Sequence, residues 1–237
     1  VIADFAALFA SGTIGVGCSP FLTDVGSLSA VAPGGIELQE NSGAVVNAIT
    51  SASLRVGTAS GSLFIQQAVG GTVDLSAPGG FIVNEFPGVG KVAGASVNLN
   101  ALDVGTASSP LLVDTPELSA FAGNDIFVSG AGEITVNNLS ASGIGAVVAR
   151  TGNLIVNAAF ASETLTFESS AGSVFGGCND GGPNMHGAGG VSIISAGVAG
   201  TPGDPIGVAA DNGLLAVAAR GQIGGVSGAF SVIPGQI

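Results

Sequence analysis

The chain has 237 residues with 41 glycines, 46% hydrophobic residues and only 8% charged residues, and its formal net charge is −12. Four basic side chains are too few for nucleic acid or an anionic membrane surface, and the apolar content argues against a disordered chain. One histidine and neither tryptophan nor tyrosine leave few titratable groups for catalysis, and no uninterrupted apolar run reaches the length of a membrane-spanning helix.

Short predicted strands follow one another along the whole chain. Apolar and polar residues alternate with period two, the pattern of a strand with one buried face, at 36–38, 72–75, 96–99 and 164–167. Glycine, proline and asparagine pairs that favour tight turns separate the strands at 34–35, 79–80, 87–88 and 124–125. Helix is not expected, because no segment carries a capped apolar stripe and glycine penalises helix throughout.

Internal repeats determine how these strands are expected to assemble. Residues 19–30 return 90 positions later as residues 109–120, with seven of twelve positions identical. Leu-Ser-Ala starts at Leu28, Leu75, Leu118 and Leu139, and the intervals between repeated motifs cluster near 21–24 residues or twice that. Stacked repeats of this kind predict one all-β domain over 1–237, a right-handed parallel β-solenoid of roughly eleven coils of about 22 residues.

Two expectations concern the interior and the strand ends of such a solenoid. The twelve phenylalanines are expected to fill the core rather than to form an exposed sugar-stacking platform, which tryptophan and tyrosine would serve better. Val-Asn dipeptides begin at Val46, Val83, Val97, Val136 and Val156. Their asparagines either form hydrogen-bonded ladders along the stack or are simply common turn residues.

The wording of the repeats resembles a known family. Residues 104–114, which read Val-Gly-Thr-Ala-Ser-Ser-Pro-Leu-Leu-Val-Asp, and residues 117–128 are similar to filamentous-haemagglutinin-type repeats. These repeats build the β-solenoids of bacterial two-partner-secreted and autotransporter adhesins and of surface fibres. The resemblance covers most of the chain and implies a secreted, cell-surface protein without catalysis.

One glycine-rich segment interrupts the pattern, and we expect residues 176–190 to leave the solenoid as a loop. It contains the only histidine, His186, with Met185, Cys178 and Asp180. Cysteine, methionine and histidine would suit a soft metal such as copper, and aspartate would suit calcium. No four-ligand zinc spacing and no repeated calcium motif occurs, so no metal, cofactor or catalytic residue is assigned.

The two cysteines, Cys18 and Cys178, are separated by 160 residues, about seven coils or ~35 Å along a solenoid axis. A disulfide needs Cα atoms within about 7 Å, so an intrachain bond is not expected. The path from Cys178 to Cys18 of a second copy stacked end to end covers only about 3.5 coils, or ~17 Å. Either an interchain disulfide joins the copies or both thiols are free.

The sequence at both ends reads as ordinary coils rather than polar capping repeats, which indicates ends that stack or a slice of a longer solenoid. The favoured function is therefore an extracellular structural protein, a subunit of a surface fibre or adhesin stalk that stacks head to tail. The alternative is an adhesin module that binds a host or cell-surface glycan through its lateral face or the 176–190 loop. A polysaccharide-degrading β-helix enzyme is disfavoured, because Arg55, Lys91, Arg150 and Arg220 are scattered and no acidic pair recurs beside them.

Overall fold

A computed structural model describes residues 2–15, 19–177, 183–202, 204–211, 213–224 and 226–229. These residues form strands joined by turns, without helix, and the strands pair in parallel as a right-handed β-solenoid of about ten turns. This confirms the predicted fold class. The chain divides into two compact units, Val1–Thr115 and Pro116–Ile237, and the single domain over 1–237 stays a prediction.

The strands of the first unit are β1 (Ile2–Phe9), β2 (Phe21–Ala32), β3 (Ile36–Glu40), β4 (Ala44–Thr50), β5 (Ser53–Thr58), β6 (Leu63–Val69), β7 (Thr72–Asn84), β8 (Lys91–Ala93), β9 (Ser96–Val104) and β10 (Leu111–Asp114). Those of the second unit are β11 (Glu117–Ala122), β12 (Ile126–Gly130), β13 (Ile134–Ala141), β14 (Gly145–Ala149), β15 (Leu154–Val156), β16 (Ala159–Ala161), β17 (Thr164–Ser169), β18 (Val174–Gly176), β19 (Met185–Gly187), β20 (Gly190–Ser195), β21 (Ile206–Ala209), β22 (Leu214–Ala219) and β23 (Val226–Ala229).

Each strand pairs with the strand one turn further along the chain, and the register sets the length of a turn. In the first unit Leu54 lies beside Ile36, Val73 beside Leu54, and Val97 beside Val73, so each of these turns is longer than the one before it. The longest of the three contains an extra β-turn at 86–89, where the Val89 N–H donates to the Phe86 carbonyl. Length variation is therefore absorbed at corners, and the strands stay in register.

Small and branched aliphatic side chains fill the interior of each unit. In the first unit Ala30, Ala48 and Ala68 stack directly on one another and are fully buried. In the second unit Val147 and Ile193 lie above and below Phe167, again fully buried. Because rungs are about 4.8 Å apart and interiors are close-packed, each inward position takes a side chain of limited volume.

The expectation that phenylalanine fills the core is wrong. Among the described phenylalanines only Phe167 is fully buried. Seven others are exposed, and these are Phe5, Phe9, Phe64, Phe81, Phe86, Phe121 and Phe160. The alternation of the strands decides the outcome: Phe64 stands between Leu63 and Ile65, whose side chains are fully buried, so Phe64 faces outward.

The interior also contains polar side chains that bind backbone. Asn84 donates from Nδ2 to the Pro110 carbonyl at 2.8 Å and accepts the Leu112 N–H at 3.3 Å. Glu40, fully buried, accepts the N–H groups of Val25 at 2.9 Å and of Asn41 at 3.1 Å through Oε1. Such contacts satisfy backbone groups that a corner leaves without a ladder partner.

One glycine corner shows why so much glycine is needed. Gly61 has φ of +91°, and a Cβ on it would overlap the Ser42 carbonyl oxygen of the preceding turn. Both features exclude an L side chain, because the left-handed region is strained and the neighbouring backbone has no space to give. Successive turns can therefore approach closely at this corner only through glycine.

Candidate functional site

The residues proposed from sequence do not form one site. Cys18, Cys178 and Asp180 lie outside the described residues. Met185 and His186 are neighbours in β19, and successive side chains of a strand point to opposite faces. Met185 is fully buried between Ala159 and Val208, whereas His186 faces outward. The two cannot bind a common metal ion in this arrangement.

The predicted loop over 176–190 differs from the structure at both of its ends. Gly176 is the last residue of β18, Met185–Gly187 forms β19, and Gly190 begins β20. The turn from Ala159 to Met185 is longer than the preceding turn, which runs from Leu139 to Ala159, so extra chain is accommodated here. The chain has nevertheless rejoined the stack by Met185, because Met185 and His186 continue the ladder of β16.

His186 makes two contacts on the outer surface of the second unit. Its Nε2 lies 3.0 Å from Oδ2 of Asp211, and its ring meets the Phe160 ring edge to face with the centroids 5.2 Å apart. Both partners of the polar contact are partly exposed. Within the ranges that the structure covers, no group of three or more histidine, cysteine, aspartate or glutamate side chains is placed to hold a metal ion. The contact therefore orients the histidine against a neighbouring turn.

One outward face of the first unit carries a charged ladder, which consists of Glu37, Arg55, Asp74 and Asn98. These residues are register partners on β3, β5, β7 and β9. Arg55 lies 3.4 Å from Glu37 and 3.5 Å from Asp74, and the Asn98 amide donates to Asp74 at 2.7 Å. Each polar side chain of this ladder is therefore paired with the next one along the stack.

Asparagine ladders occur in the second unit, as one interpretation of the Val-Asn dipeptides predicts. Asn157 donates from Nδ2 to Oδ1 of Asn137 at 3.0 Å, and Asn153 donates to Glu133 at 2.9 Å. For Asn137 and Asn157 the ladder prediction is confirmed. The asparagine of the Val83-Asn84 dipeptide instead turns inward to the backbone, and that of Val97-Asn98 pairs with an aspartate.

The sequence patterns do not predict a second outward face of the first unit. We call it the neutral face, and it is built of three register columns on β1, β2, β4, β6 and β7. The first column consists of Phe5, Ser27, Val45, Phe64 and Val83. The middle column consists of Ala7, Ser29, Asn47 and Gln67. The third column consists of Phe9, Val31, Ile49 and Val69.

The neutral face combines exposed apolar columns with free amides. Phe64 is 41% exposed and Val31 39% exposed, so the outer columns present apolar surface to solvent. In the middle column neither Asn47 nor Gln67 makes a side-chain hydrogen bond within the described residues. Lys91, the register partner of Gln67, borders the face and pairs with Asp114 at 2.7 Å. Phe64 lies in the apolar run from Leu63 to Ile65, so no alternation in the sequence marks it as outward-facing.

In the described residues, β1 of the first unit pairs only with β2, and β22 of the second unit pairs only with β20. Leu8 of β1 lies beside Ala30, which is fully buried, yet Leu8 itself is half-exposed. Val217 of β22 lies beside Ile193 and shows the same contrast. Within the described ranges, these inward-facing side chains are therefore covered by a neighbouring strand from one side only.

Comparisons with known proteins return no match: no family model, no curated protein and no solved structure resembles the chain significantly. Across the described part of the chain, no helix has the length and apolarity needed to cross a bilayer.

Proposed function

We propose that the protein is a secreted structural protein without catalytic activity, a β-solenoid subunit of a surface fibre or adhesin stalk that stacks head to tail. The parallel solenoid is compatible with a structural or adhesin role. The resemblance of residues 104–114 and 117–128 to filamentous-haemagglutinin-type repeats supports a bacterial cell-surface location.

The observation that carries this proposal is the parallel ladder, in which β5 pairs with β3 on one side and with β7 on the other, so that a strand accepts a parallel partner on either side. The edge at β1 exposes Ile2 at 87% and Phe9 at 75%, and the edge at β22 exposes Leu214 at 49%. A further parallel strand laid on either edge would complete the ladder and bury the half-exposed Leu8 and Val217. Such a contact joins two different surfaces, so it repeats from copy to copy and generates a filament where the repeat does not close into a ring.

Two single variants test head-to-tail stacking, because an inward-pointing lysine blocks an edge strand. Leu8→Lys blocks the β1 edge and Val217→Lys blocks the β22 edge, and Phe121→Lys places the same charge on a lateral position as the control. We expect the unmodified chain and the control to form concentration-dependent polymers in sedimentation velocity, with unbranched filaments in electron micrographs. Each edge variant alone is expected to remain monomeric.

The decisive sample is an equimolar mixture of the two edge variants. Each keeps one open edge of opposite kind, so the mixture should form heterodimers and no longer species. A mixture that stays monomeric overturns head-to-tail stacking, as does an unmodified chain that remains monomeric at every concentration. Polymers that persist in both single variants would equally overturn the proposal, since another surface would then hold the copies together.

The proposed interchain disulfide between Cys178 and Cys18 is read from the same samples. If it joins neighbouring copies, electrophoresis without reductant gives a ladder of covalent multimers that collapses to one band with reductant. Cys18→Ser should abolish the ladder while filaments still form, because the edges and not the sulfurs carry the stacking. A monomer band in both lanes overturns the disulfide and leaves the stacking result to be judged by sedimentation.

A further inference from the structure

The neutral face differs from the other polar ladders of the first unit because its amides are free. The Asn98 side-chain amide donates to Asp74 at 2.7 Å, and the Asn84 side-chain amide donates to the Pro110 carbonyl at 2.8 Å, each on a neighbouring turn. Asn47 and Gln67 stand in register on adjacent turns and have no side-chain hydrogen bond within the described residues. Two adjacent amides, each able to donate and accept, are thus open to a ligand.

The charge of the neutral face selects the kind of ligand. None of the thirteen residues in its three columns is charged, although the whole chain has a net charge of −12. An anionic partner would be repelled by the chain and would find only Lys91, already paired with Asp114. A cationic partner would favour the carboxylates of the charged ladder instead. A neutral ligand is the one that this surface suits best.

The size of the neutral face argues against a second copy of the chain as the occupant. Four complete rungs about 4.8 Å apart and three columns about 6.6 Å apart, with Val83 next to them, give an area on the order of 400 Å² once side chains are included. A stable protein–protein interface buries roughly 800 Å² on each partner. The area falls instead in the range of single functional patches, roughly 300–600 Å².

We propose that the neutral face binds a neutral polysaccharide chain. Sugar hydroxyls would hydrogen-bond to the amides of Asn47 and Gln67, which exchange solvent for these partners at little cost. The apolar C–H faces of the sugar rings would pack on Phe64 and on the aliphatic column formed by Val31, Ile49 and Val69. Two adjacent amides between largely apolar columns match a sugar chain, which presents hydroxyl edges and apolar ring faces together.

The test is affinity electrophoresis of the full 237-residue chain in gels that contain hydroxyethyl-cellulose or galactomannan, with heparin gels as the anionic arm. The variants are Phe64→Ala, Gln67→Ala and their combination. Phe121→Ala is the matched control, because Phe121 is 42% exposed and Phe64 41% exposed. Retardation by at least one neutral polysaccharide is expected, with the dissociation constant raised roughly tenfold in the double variant and unchanged in the control.

Several outcomes would overturn the inference. These are the absence of retardation by either neutral polysaccharide, retention on heparin alone, and equal losses in Phe64→Ala and Phe121→Ala. Self-association that Phe64→Ala abolishes would assign the face to a second copy instead. Circular dichroism of each variant confirms the fold, since all the substituted side chains are on the surface. The edge variants Leu8→Lys and Val217→Lys should bind the gels like the unmodified chain, which separates this test from that of stacking.

Discussion

Two outward faces of the first unit use the same backbone register in opposite ways. On the charged ladder, register places Arg55 between Glu37 and Asp74, and the polar side chains pair with one another. On the neutral face, register places Asn47 beside Gln67, yet their amides stay free within the described residues, and the flanking columns are apolar except for Ser27. In a β-solenoid, side chains at equivalent strand positions stack on one another. On the charged ladder these side chains pair with each other, whereas on the neutral face they remain available to a partner.

The largest expected effect comes from the interior that both faces share. Leu75→Ala, behind the charged ladder, and Ile65→Ala, behind the neutral face, should each lower the free energy of unfolding by about 2–5 kcal/mol, because both side chains are fully buried. Phe64→Ala, one residue from Ile65 but outward-facing, should change it by less than about 0.5 kcal/mol. Urea unfolding followed by circular dichroism measures all three. If Phe64→Ala lowered the free energy of unfolding as much as Ile65→Ala, Phe64 would have to be a core residue.

A smaller change in the free energy of unfolding is expected when a hydrogen-bonded asparagine is replaced, and almost none when a free asparagine is replaced. Asn84→Ala removes the partner of the Leu112 N–H and the Pro110 carbonyl, and leaving such buried groups unsatisfied should cost about 1–3 kcal/mol. Asn47→Ala, which breaks no hydrogen bond within the described residues, should be close to neutral in the same urea titration. Equal losses in the two variants would show that Asn47 has a structural role that its surroundings do not reveal.

The smallest effect is expected in the charged ladder itself. Arg55 has a side chain 62% exposed, and exposed ion pairs contribute about 0–1 kcal/mol. A double-mutant cycle with Arg55→Ala and Asp74→Ala should give a coupling within that range, and the coupling should shrink in about 1 M salt as the charges are screened. A coupling that salt leaves unchanged would contradict charge attraction between Arg55 and Asp74 as the basis of the pair.

Much of the fold could be predicted from residues alone, because repeats and period-two alternation report directly on stacked strands. The repeat of residues 19–30 at 109–120 and the turn pairs near 34–35 and 124–125 identified the architecture. The predicted coil length lies between that of the turn from Ile36 to Leu54 and that of the turn from Ala159 to Met185. The corners were not predictable in detail, since each absorbs extra residues differently.

The candidate sites were less predictable, because successive side chains of a strand point to opposite faces. Met185 and His186 share a segment with unusual composition, but one is inside and the other outside, because they are successive residues of a strand. Phe64 is as hydrophobic as a core residue, but its side chain lies on the surface. Hydrophobicity alone could not distinguish these cases within the apolar run from Leu63 to Ile65.

The sequence by itself determined that this chain is built of stacked parallel strands, because repeat length, turn residues and alternation are local properties that recur in every coil. Only the tertiary structure decided which side chains meet across turns, since that depends on register at corners of variable length. A shift of one residue turns every side chain of a strand to the opposite face. For this reason the pairing of Asn137 with Asn157, the burial of Asn84 and the exposure of Phe64 emerge only when the turns are laid on one another.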